Sequence, residues 1–224
     1  MQKEQPQIYL IPGLGADARM FQFLQLDAEK FKIVILEWLS PYTNEPLAMY
    51  ASRMAAQIKV NTQPIILVGV SFGGMIAVEI SKFFSTAHVI LISSIKTHTE
   101  LPFYLRFFGQ LEIHKYLPLH WAKKLPWFYN WVFGAKTIRE KKLLNQIIQD
   151  TDISFVKWAF TAIANWQNQT RITNLVHLHG DQDKIFPLAY IKEPVVYPGT
   201  HLIIFSATNE LSLFITQKAN QIFY

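Results

Sequence analysis

Ser71 stands in the middle of Gly69-Val70-Ser71-Phe72-Gly73, where the apolar run Pro64 to Val68 gives way to the helical pattern Met75-Ile76-Ala77-Val78-Glu79-Ile80. A strand that turns sharply into a helix at such a serine presents one hydroxyl outward, with backbone N–H groups of the helix N-terminus beside it. Glycine on either side removes the Cβ atoms that would clash in so tight a turn. The hydroxyl is a poor nucleophile at neutral pH. Chemistry here requires an imidazole to take its proton and a carboxylate to fix the tautomer of that imidazole.

Two late loops can supply these groups. His179-Gly180-Asp181-Gln182-Asp183 follows one apolar run, and Pro198-Gly199-Thr200-His201 follows the next. Either Asp181 or Asp183 can orient the imidazole, the other bonding to its own loop. In a parallel sheet the C-terminal strand ends share one edge, so Ser71, the aspartate loop and His201 converge there. Serine, then aspartate, then histidine is the chain order of that architecture. His88, His98, His114 and His120 read as ordinary strand or cap residues. His177 and His179 alternate on one strand and face the same side, but two imidazoles without a third ligand at metal spacing do not make a metal site.

The elements that must position these groups alternate between strand and helix. Strands are predicted at Ile8–Ile11, Lys32–Trp38, Ile65–Val70, Ala87–Ser93, Leu175–His179 and Val195–Tyr197, and helices at Glu45–Val60, 72–84 and Asn209–Tyr224. Near-continuous apolar strands, each followed by a helix, describe an α/β fold: a mostly parallel sheet of about six strands with helices on both faces. The rhythm breaks near Ile95 and resumes near Leu175. The interval is dense in Trp, Phe and Tyr, and Lys136–Gln149 and Ile153–Asn165 carry helical patterns. It is read as a helical, aromatic-rich cap insertion, residues 97–171, in a core made of 1–96 and 172–224. Its aromatic side chains form the core of that cap. Some of them, with Leu14 and Phe72, would line an apolar acyl or alcohol pocket above Ser71.

At this point the sequence resembles the α/β-hydrolase superfamily over essentially its whole length. The resemblance rests on Ile11-Pro12-Gly13-Leu14-Gly15, the turn Gly69 to Gly73, Gly180-x-x-Asp183 with Pro187 behind it, and Gly199-x-His201. It implies Ser71 as nucleophile, His201 as base and Asp183, rather than Asp181, as the acid. It also implies backbone N–H groups of Leu14 and Phe72 as the oxyanion donors. The chain departs from the family in carrying the oxyanion loop on its first strand, as a trimmed member would, and in having Pro12 where many members have His. Only 18 positions separate Asp183 from His201, which implies an abbreviated helix between them. Serine at the turn sets aside the branches that use a carboxylate nucleophile. The activity implied is hydrolysis of a small, apolar carboxylic ester or thioester without a cofactor or metal. Rival readings are a non-catalytic or non-hydrolytic member of the fold, such as one that cleaves cyanohydrins, and a dinucleotide-binding protein. For the last, Gly13-Leu14-Gly15-Ala16-Asp17-Ala18 followed by Glu37 mimics a pyrophosphate-and-ribose fingerprint.

Composition narrows the setting. The chain has 224 residues, of which 50% are hydrophobic and 17% charged, enough apolar material for a sizeable core. Cysteine is absent, which removes disulfides and thiolate chemistry. The N-terminus is polar, with no apolar signal segment, and no run approaches the roughly 20 residues of a membrane span. A cytoplasmic protein without membrane association is expected, its oligomeric state left open. The formal net charge is +5, but the basic residues are not laid out as a nucleic-acid surface. Lys123, Lys124, Lys136, Arg139, Lys141 and Lys142 gather in the Trp- and Phe-rich interval. They read as a solvated face or, more sharply, as a weak attraction to anionic membranes or acidic partners.

Overall fold

The computed structural model describes residues 5–59, 63–110 and 119–224. The first four residues, the predicted helix end at Val60, and His114 lie outside them. Strands β1 (Gln7–Ile11), β2 (Lys32–Ile35), β3 (Ile65–Val70), β4 (Ala87–Ile92), β5 (Leu175–Gly180) and β6 (Val195–Tyr197) form one sheet in the order β2-β1-β3-β4-β5-β6. Every adjacent pair is parallel. Successive side chains of a strand point to opposite faces, and here both faces are buried. Tyr9, Ile11, Ile65, Leu67, Val89 and Leu91 enter one core, while Ile8, Leu10, Ile66, Val68, Ile90 and Ile92 enter the other. That is why the strands read as unbroken apolar runs.

Helices α1 (Leu47–Ala55) and α2 (Phe72–Ser81) cover the first face. α1 buries Leu47, Tyr50, Ala51 and Met54, the spacing of a single apolar stripe. Every residue of α2 is buried, so that helix lies inside the molecule rather than on it. Strand β2 is shorter than the predicted Lys32–Trp38. It is an edge strand, and beyond Ile35 the side chain of Gln57 replaces a neighbouring strand: it accepts from the Glu37 N–H and donates to the Glu37 carbonyl, each at 3.0 Å.

Five helices are described between β4 and β5: α3 (Phe103–Gln110), α4 (Leu119–Ala122), α5 (Pro126–Phe133), α6 (Ile138–Asp150) and α7 (Ile153–Ala164). Their boundaries follow local chemistry. Pro126 opens α5 and Gly134, at φ 73°, closes it; Thr137 and Glu140 form a capping box on α6, and Asp152 caps α7. Phe155, Ala159 and Ala162 of α7 belong to the same buried cluster as α1 and α2. The second face of the sheet is covered by α8 (Ile203–Ser206) and α9 (Thr208–Phe223).

The strand order places Ser71. β1 connects toward β2 on one side, and β3 connects toward β4 on the other. The crevice between the C-terminal ends of β1 and β3 is therefore a topological switch point, where open α/β sheets hold ligands. The loop Pro12–Gly15 and Ser71 emerge on either side of it.

Candidate active site

Ser71 has φ 52° and ψ −120°, a backbone conformation that L-residues rarely adopt. Three hydrogen bonds enforce it. Its N–H donates to the Ile92 carbonyl at 2.9 Å, and its carbonyl accepts from Gly74 N–H at 2.9 Å and from Ser94 Oγ at 2.6 Å. The flanking glycines are required by close approach: a Cβ on Gly69 would lie 2.5 Å from the Gly73 carbonyl, and one on Gly73 would overlap the carbonyls of Pro12 and Ile11.

Phe72 is 1% exposed. Its ring packs against Trp38, Phe155 and Trp158 at centroid distances of 5.5, 6.3 and 6.0 Å. This corrects the expectation that Phe72 lines a ligand pocket. The side chain anchors the start of α2 in the core, and its backbone is the part left at the site.

The loop after β1 passes beside the turn. A Cβ on Gly13 would sit 3.6 Å from that of Ser71. Trp38 Nε1–H holds the loop through the Ala16 carbonyl at 2.8 Å, and Thr151 Oγ holds it through the Gly15 carbonyl at 3.0 Å. Gly15 lies at φ 67° against the Thr151 side chain. The reverse contact joins the other side of the site, where Thr200 fills the space in front of Gly134 and donates to its carbonyl at 3.1 Å. Among the described residues, no protein group accepts a hydrogen bond from the N–H of Leu14 or Phe72.

The three side chains meet in one line. His201 Nε2 lies 2.9 Å from Ser71 Oγ, and His201 Nδ1 lies 2.8 Å from Asp183 Oδ2. With Nδ1–H donating to the carboxylate, Nε2 is the acceptor for the serine hydroxyl. Asp183 Oδ1 accepts the N–H groups of Ile185 and Phe186 at 2.8 and 2.9 Å. Burial works against the charge of Asp183. His201, the Phe186 N–H and the neighbouring His179 outweigh it and hold the carboxyl below its ordinary range. Asp181 does not reach His201; it accepts the Gly199 N–H at 2.8 Å and so ties the two loops together. Between them, Leu188–Tyr190 forms a single 3₁₀ turn.

Two further imidazoles lie behind the carboxylate. His179 Nε2–H donates to the Phe186 carbonyl at 2.7 Å and stands 3.5 Å from Asp183 Oδ2. Its Nδ1 must then be an acceptor, so the 3.2 Å contact to His177 Nε2 carries the proton of His177. His177 is buried as well, with the Ser94 backbone hydrogen-bonded to its ring. Burial first, and then the charges of His179 and Lys96, push the pKa of His177 down to about 3. Burial also lowers that of His179. Sequence reasoning placed both imidazoles on one side of a strand but missed their contact with the acid loop. It likewise missed Ser94 and Thr151.

A cavity of about 1360 Å³ opens beside this region, walled in part by Gly15, Trp38, Glu45, Asp152 and Trp158. Ser71, Asp183 and His201 do not line it. The Gly13–Ala18 run leads into a 3₁₀ turn, Ala18–Phe21, not an α-helix. A dinucleotide fingerprint depends on that helix to hold a pyrophosphate, so the geometry speaks against the dinucleotide reading.

The sequence matches the model of the Alpha/beta hydrolase family over residues 8–210, and the chain belongs to that family. Its fold is that of solved hydrolase structures. An esterase from Exiguobacterium antarcticum is similar with a TM-score of 0.73 at 14% identity, over 97% of this chain and 92% of that one. A hydrolase from Oleispira antarctica is similar with a TM-score of 0.72 at 15% identity, over 97% and 92%. The enol-lactonase from Burkholderia xenovorans is similar with a TM-score of 0.71 at 13% identity, over 96% and 91%. No curated protein matches the chain in sequence.

Proposed function

We propose that the protein is a serine hydrolase that cleaves a small carboxylic ester, or a thioester, through an acyl-enzyme on Ser71. One observation carries the reading: His201 bridges Ser71 Oγ at 2.9 Å and Asp183 Oδ2 at 2.8 Å, on a backbone turn strained enough to need a purpose. Ser71 Oγ attacks the carbonyl carbon as His201 Nε2 takes its proton. The N–H groups of Leu14 and Phe72 stabilise the oxyanion. The imidazolium, held by Asp183, returns the proton to the leaving alcohol or thiol. Water, deprotonated by His201, then attacks the acyl-serine and releases the acid. Residues 97–171 act as a cap that selects the acyl or alcohol group. The edge-on contact between the rings of Phe133 and His201, at 5.7 Å, supports that role. The names of the structural neighbours, an esterase and an enol-lactonase, support an ester carbonyl as the target.

The test is labelling by a fluorophosphonate probe together with turnover of p-nitrophenyl esters of graded acyl length. Both are expected in the wild type and neither in Ser71→Ala. A Ser71→Ala protein that keeps both would reject the mechanism.

A further inference from the structure

The formal net charge of this protein is concentrated in one stretch of its sequence. Residues 101–139 carry Arg106, Lys115, Lys123, Lys124, Lys136 and Arg139 against a single acid, Glu112. The stretch therefore accounts for the whole formal net charge of +5, since elsewhere fifteen basic residues balance fifteen acidic ones. The same 39 residues hold 11 of the aromatic side chains.

Helix α5 shows how these two properties are arranged. Trp127, Phe128 and Trp131 fall on one arc of the helix, and Trp127 and Trp131 are 69% and 61% exposed. The opposite side points inward: Tyr129 is buried and bonded to Asn145, and Phe133 meets His201. Trp121, Lys124 and Leu125, all exposed, precede the arc in the chain. Lys184 joins it from the acid loop, its ammonium 4.1 Å from the centre of the Trp131 ring. Large apolar rings left in water beside cations are costly on a free surface. They are the composition of a surface that settles into the boundary between lipid headgroups and acyl chains, where Trp and Lys are at home.

We infer that the face formed by Trp121, Lys124, Leu125, Trp127, Phe128 and Trp131 docks on an anionic lipid surface. No helix among the described residues is long and apolar enough to cross a membrane, so the attachment is peripheral. The rings enter the interface and the lysines meet the headgroups. The cations at this face, Lys124 and Lys184, select this occupant, because they complement lipid anions and would repel a second copy presenting the same face. This inference takes up the sharper reading of the basic cluster, and it does not depend on the chemistry at Ser71.

The full chain is floated with vesicles of phosphatidylcholine alone and of phosphatidylcholine with phosphatidylserine, following tryptophan emission. The wild type should float with the anionic vesicles only, with a blue-shifted emission, and should be released by high salt. Lys124→Glu, and separately the pair Trp127→Ser with Phe128→Ser, should each weaken binding by about tenfold. Both variants should keep wild-type circular dichroism, because the altered side chains are exposed. Failure of the wild type to float, or flotation of the aromatic variant equal to wild type, overturns the inference. So does a concentration-dependent dimer dissolved by Trp127→Ser in a protein that ignores vesicles, which would give the face to a second copy.

Discussion

His179 Nε2 lies 3.5 Å from Asp183 Oδ2 while donating to the Phe186 carbonyl at 2.7 Å, so one buried imidazole touches both the carboxylate and the loop that carries it. Removing it should loosen that loop. His179→Leu leaves the buried Phe186 carbonyl without its donor, at a cost of about 1–3 kcal/mol, and thermal melting should shift down accordingly. Ester turnover should fall with it, and His179→Gln, which restores an N–H donor, should recover part of both. A His179→Leu protein that melts with the wild type would remove the imidazole from any anchoring role.

Stability should fall with acid earlier than carboxylates alone would cause. His177 stays neutral in the folded protein down to about pH 3, whereas its unfolded pKa is near 6.5. The unfolded state therefore binds the extra proton between those values. Stability is complete above about pH 6.5 and is lost as pH falls toward 3, by up to about 1.4 kcal/mol per pH unit. His179, lowered in the same direction, steepens the slope. Asp183 acts lower still: its depressed carboxyl contributes stability that disappears as pH falls through its folded pKa. Urea melts at a series of pH values should show His177→Leu with a shallower acid limb than the wild type.

Asp183→Asn tests the acid directly. The amide can no longer hold His201 with Nδ1–H toward it, and the wrong tautomer offers no base to Ser71. Turnover should drop by about 10⁴-fold with little change in KM. Asp181→Asn should cost far less, since its bond is to the Gly199 backbone. Equal losses in the two variants would contradict the assignment.

Ser71 holds an unfavourable backbone conformation, at φ 52°. Glycine adopts it without a Cβ penalty, and the relief of about 1–3 kcal/mol exceeds the roughly 0.5–1 kcal/mol that glycine loses in chain entropy. Ser71→Gly should thus be inactive and yet melt higher than the wild type. A lower melting temperature would mean the turn stores no strain.

The sheet was legible because its strands, buried on two faces, leave unbroken apolar runs such as Ile65 to Val68. The turn at Ser71 was legible for a different reason: only glycine tolerates the contacts Gly69 and Gly73 make, so sterics write the spacing into the chain. Asp183 and Asp181 differ by two positions, and resemblance rather than chemistry separated them; the structure shows the backbone N–H groups of Ile185 and Phe186 clamping one and Gly199 clamping the other. Phe72 was misread because the residue after Ser71 contributes backbone to the site while its side chain faces away. The contacts of His179 with Phe186, and of Thr151 with Gly15, escaped notice because they join loops whose approach no periodicity records. The end of β2 was misplaced because a side chain, Gln57, stands in for a strand.

Two threonine-to-glycine contacts run in opposite directions across one seam. Thr151, from the segment between β4 and β5, closes on Gly15 of the β1 loop, and Thr200, from the His201 loop, closes on Gly134 of that segment. They act as rivets between that segment and the frame on either side of Ser71. From Gly134 onward, through α6 and α7, the segment is bolted to the frame, and a change there disturbs the frame itself. Lys123, earlier in the segment, is held by the same threonine: its Nζ donates to the carbonyls of Gln149 and Thr151 at 2.8 and 2.7 Å.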